Sequence, residues 1–517
     1  MNTKNIFSLA ALSIAMVACS SDNDMTSAVI PSQKGKIVTL TTTLEARNAT
    51  TRTLTDNGDG TISSAWEVGS EIRVQYQNTS GSESESTATI QSVDEYGNAM
   101  ISAQLVDPKE DSQVHFWYPF RYPNHTQGQD GTLDLINRQY DFMHGQGNMV
   151  FVDNQATLPD GIHMNHNNSI LKLTISDGTT DITKDIKKLD IVINWIENEE
   201  GRGQSYSLLN LSSLSTIYVA FNLPGHIDLN VDIYAETTSG DKYHTAKSGV
   251  RLQGGKMYTA TPLTMSPYTG VNYLVWENGR LGQKVATDYK ILTKNFIEEQ
   301  GGELSSGWYV LNGEVNYDST IKFTGDANLI LSDNSILSMS GSGNIDASGH
   351  VLNIYAQSIY GESEIEPGKL NIYCDNGTAL QAGNLNVHGG IIEASTYADN
   401  NSGIIADNIN VYGGKLSARG GNTTNGTGGY GIGSGTGGTI SVTGGELHAS
   451  GGDGFTGETS TPGKAIQENL EPVIGENLYY YEGDIEDEEE MTIKTTSPYT
   501  CTKQFVVIKE QTVQNGD

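Results

Sequence analysis

Positive charge is scarce in this chain of 517 residues: 30 Lys and Arg stand against 62 Asp and Glu, a formal net charge of −32. A surface with that balance repels phosphate, so nucleic acid is excluded as a partner and anionic lipid is an unfavourable one. Cysteine numbers only three. Cys374 and Cys501 lie 127 positions apart, and an oxidising compartment would permit a bridge between them without requiring one. Long apolar runs are missing beyond Ile6–Val17, which is too short to span a membrane. Helical periodicity is rare, and the stretch 283–300 holds the best helical text of the mature chain. Catalytic signatures are missing too: the ten histidines form no H-E-x-x-H, and no G-x-S-x-G occurs. Gly433-Ser434-Gly435-Thr436-Gly437-Gly438 satisfies G-x-G-x-x-G, but strand text follows where a dinucleotide site needs a helix, so it reads as a corner. His163 and His166 read as loop residues; no metal and no cofactor is expected.

What the chain has in abundance is glycine, 59 residues, and a repeated phrase. Leu385-Asn386-Val387-His388-Gly389-Gly390 recurs as Ile409-Asn410-Val411-Tyr412-Gly413-Gly414 and Ile440-Ser441-Val442-Thr443-Gly444-Gly445. Leu352-Asn353-Ile354-Tyr355 and Leu370-Asn371-Ile372-Tyr373 are weaker relatives, so the first residues are spaced 18, 15, 24 and 31 apart. A short strand with every second residue apolar, closed by glycines that permit a corner, predicts a β-solenoid with about eight rungs, stable only as a stack. Alternation points Ile409 and Val411 into the coil and Asn410 and Tyr412 out of it. On that register Tyr355, Tyr373, His388 and Tyr412 form an outer stripe, with Asn353, Asn371, Asn386 and Asn410 beside it. Such a stripe either shields neighbouring strands or serves as a stacking platform for sugar rings with amides as hydrogen-bond partners.

The chain opens differently. Lys4 and the apolar run Ile6–Val17 read as a signal peptide, residues 1–18. Met16-Val17-Ala18-Cys19 resembles a bacterial lipobox, with Met16 in place of the usual leucine. The resemblance implies cleavage between Ala18 and Cys19 and lipidation of Cys19, with residues 19–36 as anchor and tether. Ser20-Ser21-Asp22-Asn23-Asp24 resembles the acidic signal that sends lipoproteins to the outer face of the outer membrane. From Ile37 to Met265 the text alternates with period two, as in Ile72, Val74 and Tyr76, or Ile227, Leu229, Val231 and Ile233. Turn residues such as Asn57-Gly58-Asp59-Gly60 separate the runs.

Trp66-Glu67-Val68-Gly69-Ser70-Glu71-Ile72-Arg73-Val74 resembles the W-x-x-G-D-x-I-x-V phrase of fimbrillin-like proteins, subunits of type V pili, with Ser70 at the aspartate position. Tyr118-Pro119-Phe120, Gln139–Met143, Ser169–Leu173 and Leu252–Tyr258 are similar to later landmarks of that family, in order. The resemblance covers about residues 37–265. It implies two transthyretin-like β-sandwich subdomains, 37–166 and 167–265, and a first strand released by cleavage after an arginine, for which Arg52 and Arg47 are the candidates. A neighbouring subunit's strand would then fill the groove. After a connector at 266–305, Gly307-Trp308-Tyr309-Val310-Leu311 is similar to the start of β-helical repeat regions in large bacterial surface proteins. Its aromatic pair is expected to cap the coil.

The resulting expectation is an all-β protein: two sandwiches followed by a right-handed β-solenoid over 306–455, then a loop and terminal strands over 456–517. Its expected role is an outer-membrane-anchored adhesin, a pilus tip or accessory subunit with the solenoid as head. Its partners would be other pilus subunits by strand exchange, a host or microbial surface glycan or protein, and the outer membrane through the lipid anchor. A freestanding surface glycan-binding lipoprotein is the alternative. The enzymatic rival, a β-helical lyase or glycosidase, would need acids among Asp326, Asp333, Asp346, Asp375, Asp399 and Asp407 and bases among Lys322, Lys369, Lys415 and Arg419. Most of the aspartates flank Asn or Gly as turn residues do, so no enzyme is expected.

Overall fold

A computed structural model describes residues 36–45, 55–56, 62–63, 66–119, 128–152, 155–197, 200–223, 228–277, 279–361, 365–435, 437–457, 459–487 and 490–510. The protein is all-β. In the first part, nine strands pair in the order Asn165–His166, Met143–Asn148, Gln113–Tyr118, Glu71–Gln77, Glu83–Val93, Ala99–Val106, Ile37–Leu44, Gln155–Thr157 and Val150–Val152. Alternation drives Val38, Leu40 and Leu44 into the same core as Ile72, Val74, Ile101, Phe116 and Met143. One continuous sheet that supplies one core must curl over itself.

The next part does consist of two sheets. Ile217–Phe221, Ser169–Ser176 and Met257–Thr264 face Glu200–Leu209, Ile186–Glu197, Leu229–Thr237, Lys242–Val250 and Ser266–Pro267. Leu173, Ile175 and Val219 of the first layer meet Leu189, Ile191 and Ile193 of the second in one core. Tyr140, Phe142, Ile170, Ala220 and Met257 form a smaller cluster that joins the two parts.

A β-hairpin, Val271–Glu277 with Arg280–Ala286, comes next. The helical reading of 283–300 fails over most of its length, since 280–286 is strand and only Lys294–Glu299 is helix. The Thr293 hydroxyl caps that helix by accepting from the Phe296 N–H at 3.1 Å. Its Ile297 is buried at the end of the following stack, where the aromatic cap was expected. Tyr309 is instead an inward core residue, and Trp308 faces out against Tyr273 at 4.8 Å between ring centroids.

The last part stacks parallel rungs. One side runs through Lys290–Leu292, Gly307–Leu311, Ala327–Leu331, Ile345–Ala356, Leu380–Val387, Ile404–Val411, Thr439–Val442 and Pro472–Ile474. It therefore begins and ends outside the expected bounds of 306 and 455. The opposite side runs through Glu314–Tyr317, Ile336–Met339, Lys369–Cys374, Ile391–Thr396, Lys415–Arg419 and Glu446–Ser450. It then turns antiparallel through Phe505–Glu510, Leu478–Gly483 and Thr492–Lys494. The corners between sides use Gly390, Gly414 and Gly445, whose φ of 89°, 76° and 69° are left-handed values that favour glycine. Inside, like stacks on like: Leu329, Ile354, Val387, Val411 and Val442 lie in one register, strand over strand.

Candidate functional site

On three successive rungs the outward residues repeat as the inward ones do. Tyr355, His388 and Tyr412 form a column of rings, with centroids 4.7 Å apart at both steps and interplanar angles of 10° and 18°. The spacing is that of neighbouring strands. The rings therefore present their faces to one another and their edges to the outside. Beside them runs a column of amides. Asn353 Nδ2 donates to Asn328 Oδ1 at 2.8 Å, Asn386 to Asn353 at 2.8 Å and Asn410 to Asn386 at 2.9 Å. A second ladder links Asn408 to Asn384 at 2.7 Å. Each bond satisfies a donor and an acceptor that would otherwise compete for water at a half-buried surface.

Two of the expected stripe residues stand elsewhere. Tyr373 and Asn371 belong to Lys369–Cys374, which pairs with Ile336–Met339 and Ile391–Thr396 on the opposite side. Leu370–Tyr373 is thus the return side of the rung that Leu352–Tyr355 opens, and not a further copy of it. Tyr373 is 37% exposed and donates from its hydroxyl to Glu393 Oε2 at 2.7 Å. That hydrogen bond pushes its pKa up to about 12.

The hairpin lies over the ring column, which sequence reasoning did not anticipate. Tyr273 and Val275 pack with Val310, Ile330 and Tyr355, leaving Tyr355 only 8% exposed. The Trp276 N–H donates to His388 Nδ1 at 3.3 Å. Burial lowers the His388 pKa to about 4, with Lys284 acting in the same sense and Glu277 opposing, so the imidazole is neutral near pH 7. The hairpin's other face, through Leu274 and Leu281, packs on Val192 of the preceding sheet. Alternation explains this double burial: Tyr273 and Val275 point one way, Leu274 the other.

A buried ionic joint closes the same junction. Lys188 Nζ lies 3.2 Å from Asp190 Oδ2 and 3.2 Å from Asp333 Oδ2. Burial alone would lower the lysine, but the two carboxylates outweigh it and hold the ammonium above its usual range. Asp333 also accepts from the Ser358 hydroxyl at 2.6 Å, and burial pushes its pKa up. Gln357 donates to the Asn272 carbonyl at 3.2 Å. Asp333 is therefore committed to a joint. Asp326 accepts from the Val351 N–H at 2.8 Å across rungs, and Asp346 accepts from the Ser348 N–H at 3.0 Å as a turn residue does.

Ala18, Cys19, Arg47 and Arg52 lie outside the described residues. Cys374 and Cys501 are free, buried thiols, so the permitted bridge is not formed. His166 meets Asp141 at 2.5 Å and His163 meets Glu45 at 3.3 Å. Among the described residues no helix is long and apolar enough to cross a membrane.

No family model and no curated protein matches the chain. Solved structures that resemble part of it include a protein described as a cell adhesion protein from Bacteroides uniformis ATCC 8492. It is 12% identical over 50% of this chain and 99% of that one, with a TM-score of 0.26. Another is a fimbrial protein from Bacteroides ovatus ATCC 8483, 9% identical over 48% of this chain and 53% of that one, at a TM-score of 0.25. A third is a fimbrial assembly protein from Parabacteroides distasonis ATCC 8503, 12% identical over 44% and 92% of the two chains, at a TM-score of 0.25. Likeness at this level carries no functional argument for the chain.

Proposed function

We propose that this protein is a non-enzymatic, surface-displayed adhesin of fimbrillin-like type, a tip or accessory subunit anchored to the outer membrane through Cys19. On this reading residues 37–166 and 167–265 are its two transthyretin-like subdomains. The rung stack is a right-handed β-solenoid that serves as the head and engages a surface glycan.

The observation that carries the assembly part is the placement of Ile37–Leu44. The strand pairs along its whole length with Ala99–Val106 and, on its other side, with Gln155–Thr157. Val38, Leu40, Thr42 and Leu44 are buried beneath it. Main-chain bonds and alternate buried side chains hold it, so a strand of the same alternation would fit the same groove. Arg47 and Arg52 follow it directly.

The test uses the purified protein and a labelled peptide of sequence Ile-Val-Thr-Leu-Thr-Thr-Thr-Leu. After limited digestion with a trypsin-like protease, the peptide is expected to enter the protein. Before digestion, or in Arg47→Ala/Arg52→Ala, it is expected to stay out. Peptide that remains excluded from clipped protein sinks the strand-exchange reading. Display is tested separately: Cys19→Ala is expected to lose surface labelling of intact cells, and an unchanged signal contradicts the anchor.

A further inference from the structure

The geometry points to a shallow binding ledge on the rung Thr439–Val442 that takes an uncharged terminal pyranose as the next member of the ring column. The inference rests on the reading of the rung stack as a glycan-binding head, and it places the contact at one rung.

Both outward columns end at the same place. Val411 is in register with Val442, so the position after Tyr412 passes to Thr443, and Asn410 is followed by Ser441. Within the column His388 has a ring against each face. Tyr412 has His388 against one face only, and on its other side stands the small, exposed Thr443. The Tyr412 hydroxyl makes no hydrogen bond to any described residue, and the half-buried Asn410 spends its Nδ2 on Asn386 while no described residue donates to its Oδ1. One rung further on, Val473 follows Ser441 and is 64% exposed, and Gly475 follows Thr443.

The result is a step one strand spacing high, roughly 4.8 Å. Tyr412 is its wall, Ser441 and Thr443 its floor and Val473 its far lip. Trp276 closes one side, since its Nε1 lies 3.0 Å from where a Cβ on Gly413 would stand. A pyranose laid on the open face of Tyr412 occupies the height of the missing ring. Its C–H face meets the aromatic face, and its hydroxyls reach the Ser441 and Thr443 hydroxyls and Asn410 Oδ1. Lys284 and Glu277, the charges that act on His388 in the column, are paired with each other. With a net charge of −32 on the chain, a neutral sugar is favoured over a sialylated or sulfated one.

The experiment uses the full chain and polymer-bound β-galactose, β-N-acetylglucosamine, α-mannose and α-sialic acid. Binding of at least one neutral sugar is expected. Tyr412→Ala should weaken it about 10-fold, the worth of one aromatic contact. Thr443→Tyr should weaken it to the same extent by filling the vacant place with its own ring, with the melting temperature unchanged or raised. Tyr373→Ala and Tyr397→Ala, on the opposite side, should leave binding within about 2-fold. The ledge is overturned if no neutral sugar binds, if sialic acid binds best, or if Thr443→Tyr binds as the wild type does. Sugar binding lost only in the Tyr373 and Tyr397 variants would keep the glycan-binding head and reject this rung. The peptide exchange above does not involve Thr443, so assembly stands or falls apart from these outcomes.

Discussion

Ile37–Leu44 and Ile404–Val411 are both eight-residue strands with alternating burial, yet they are held in different ways. Leu40 has Ala103 on one side and Ala156 on the other, two alanines from remote parts of the chain and both smaller than itself. Val411 has Val387 below and Val442 above. The first strand lies between Ala99–Val106 and Gln155–Thr157, the place that the proposed exchange would vacate. The second is a layer in a column, and the layers on either side have no complete core without it. On the proposed reading the first arrangement would suit exchange between molecules, whereas a parallel stack suits a surface that must not change.

The junction between these regions offers the sharpest way to break the comparison. Lys188→Met leaves Asp190 and Asp333 buried without their cation, and loss of one partner of a buried pair costs about 3–5 kcal/mol. Calorimetry is expected to resolve two separated transitions in the variant, with the rung stack melting apart from the antiparallel parts. A single transition at the wild-type temperature would show that the joint does not couple them.

Acid should act on the same junction through His388. Its pKa is about 4 in the folded chain against about 6.5 unfolded. The folded state thus binds fewer protons, and the contribution is fully present above pH 6.5 and lost as pH falls toward 4. The loss is at most about 3 kcal/mol. His388→Phe keeps a ring in the column and should flatten stability between pH 6.5 and 4. A variant as acid-sensitive as the wild type would place the dependence elsewhere.

The smallest effect belongs to the amide column. Asn386→Ala removes two ladder bonds at once, to Asn353 and from Asn410. Net losses of about 1 kcal/mol per bond are ordinary for partly solvated pairs. Denaturant unfolding of the rung stack should shift modestly, while peptide exchange in the first region stays unchanged. A shift in both would make the two regions one cooperative unit.

Much of this arrangement is legible from residues alone. The alternation of Ile409 with Val411 and the Gly-Gly corners specify which side chains enter the core, because small closing residues leave only one register. Which side of the rung a phrase occupies is not legible. Leu352–Tyr355 and Leu370–Tyr373 read alike because both sides obey the same inward–outward rule, and only pairing with distant strands separates them. The hairpin was equally hidden. Asn272, Tyr273, Leu274 and Val275 are buried on both faces, so the text shows no alternation to mark a strand. For the ring column, sequence shows that Tyr412 points outward, but the direction of its face depends on the rung below.

The two-faced hairpin has a consequence for how copies act together. Because one face is packed on the preceding sheet and the other on the rungs, with Lys188 bridging beside it, the tilt of the rung stack relative to the preceding sheets is set by packing and not by a swivelling linker. On the proposed reading, copies that stand on one support would present their ledges in one orientation. Avidity then depends on the spacing of ligands rather than on the reach of a tether. Such an array would discriminate between crowded and sparse targets that a flexible one would treat alike.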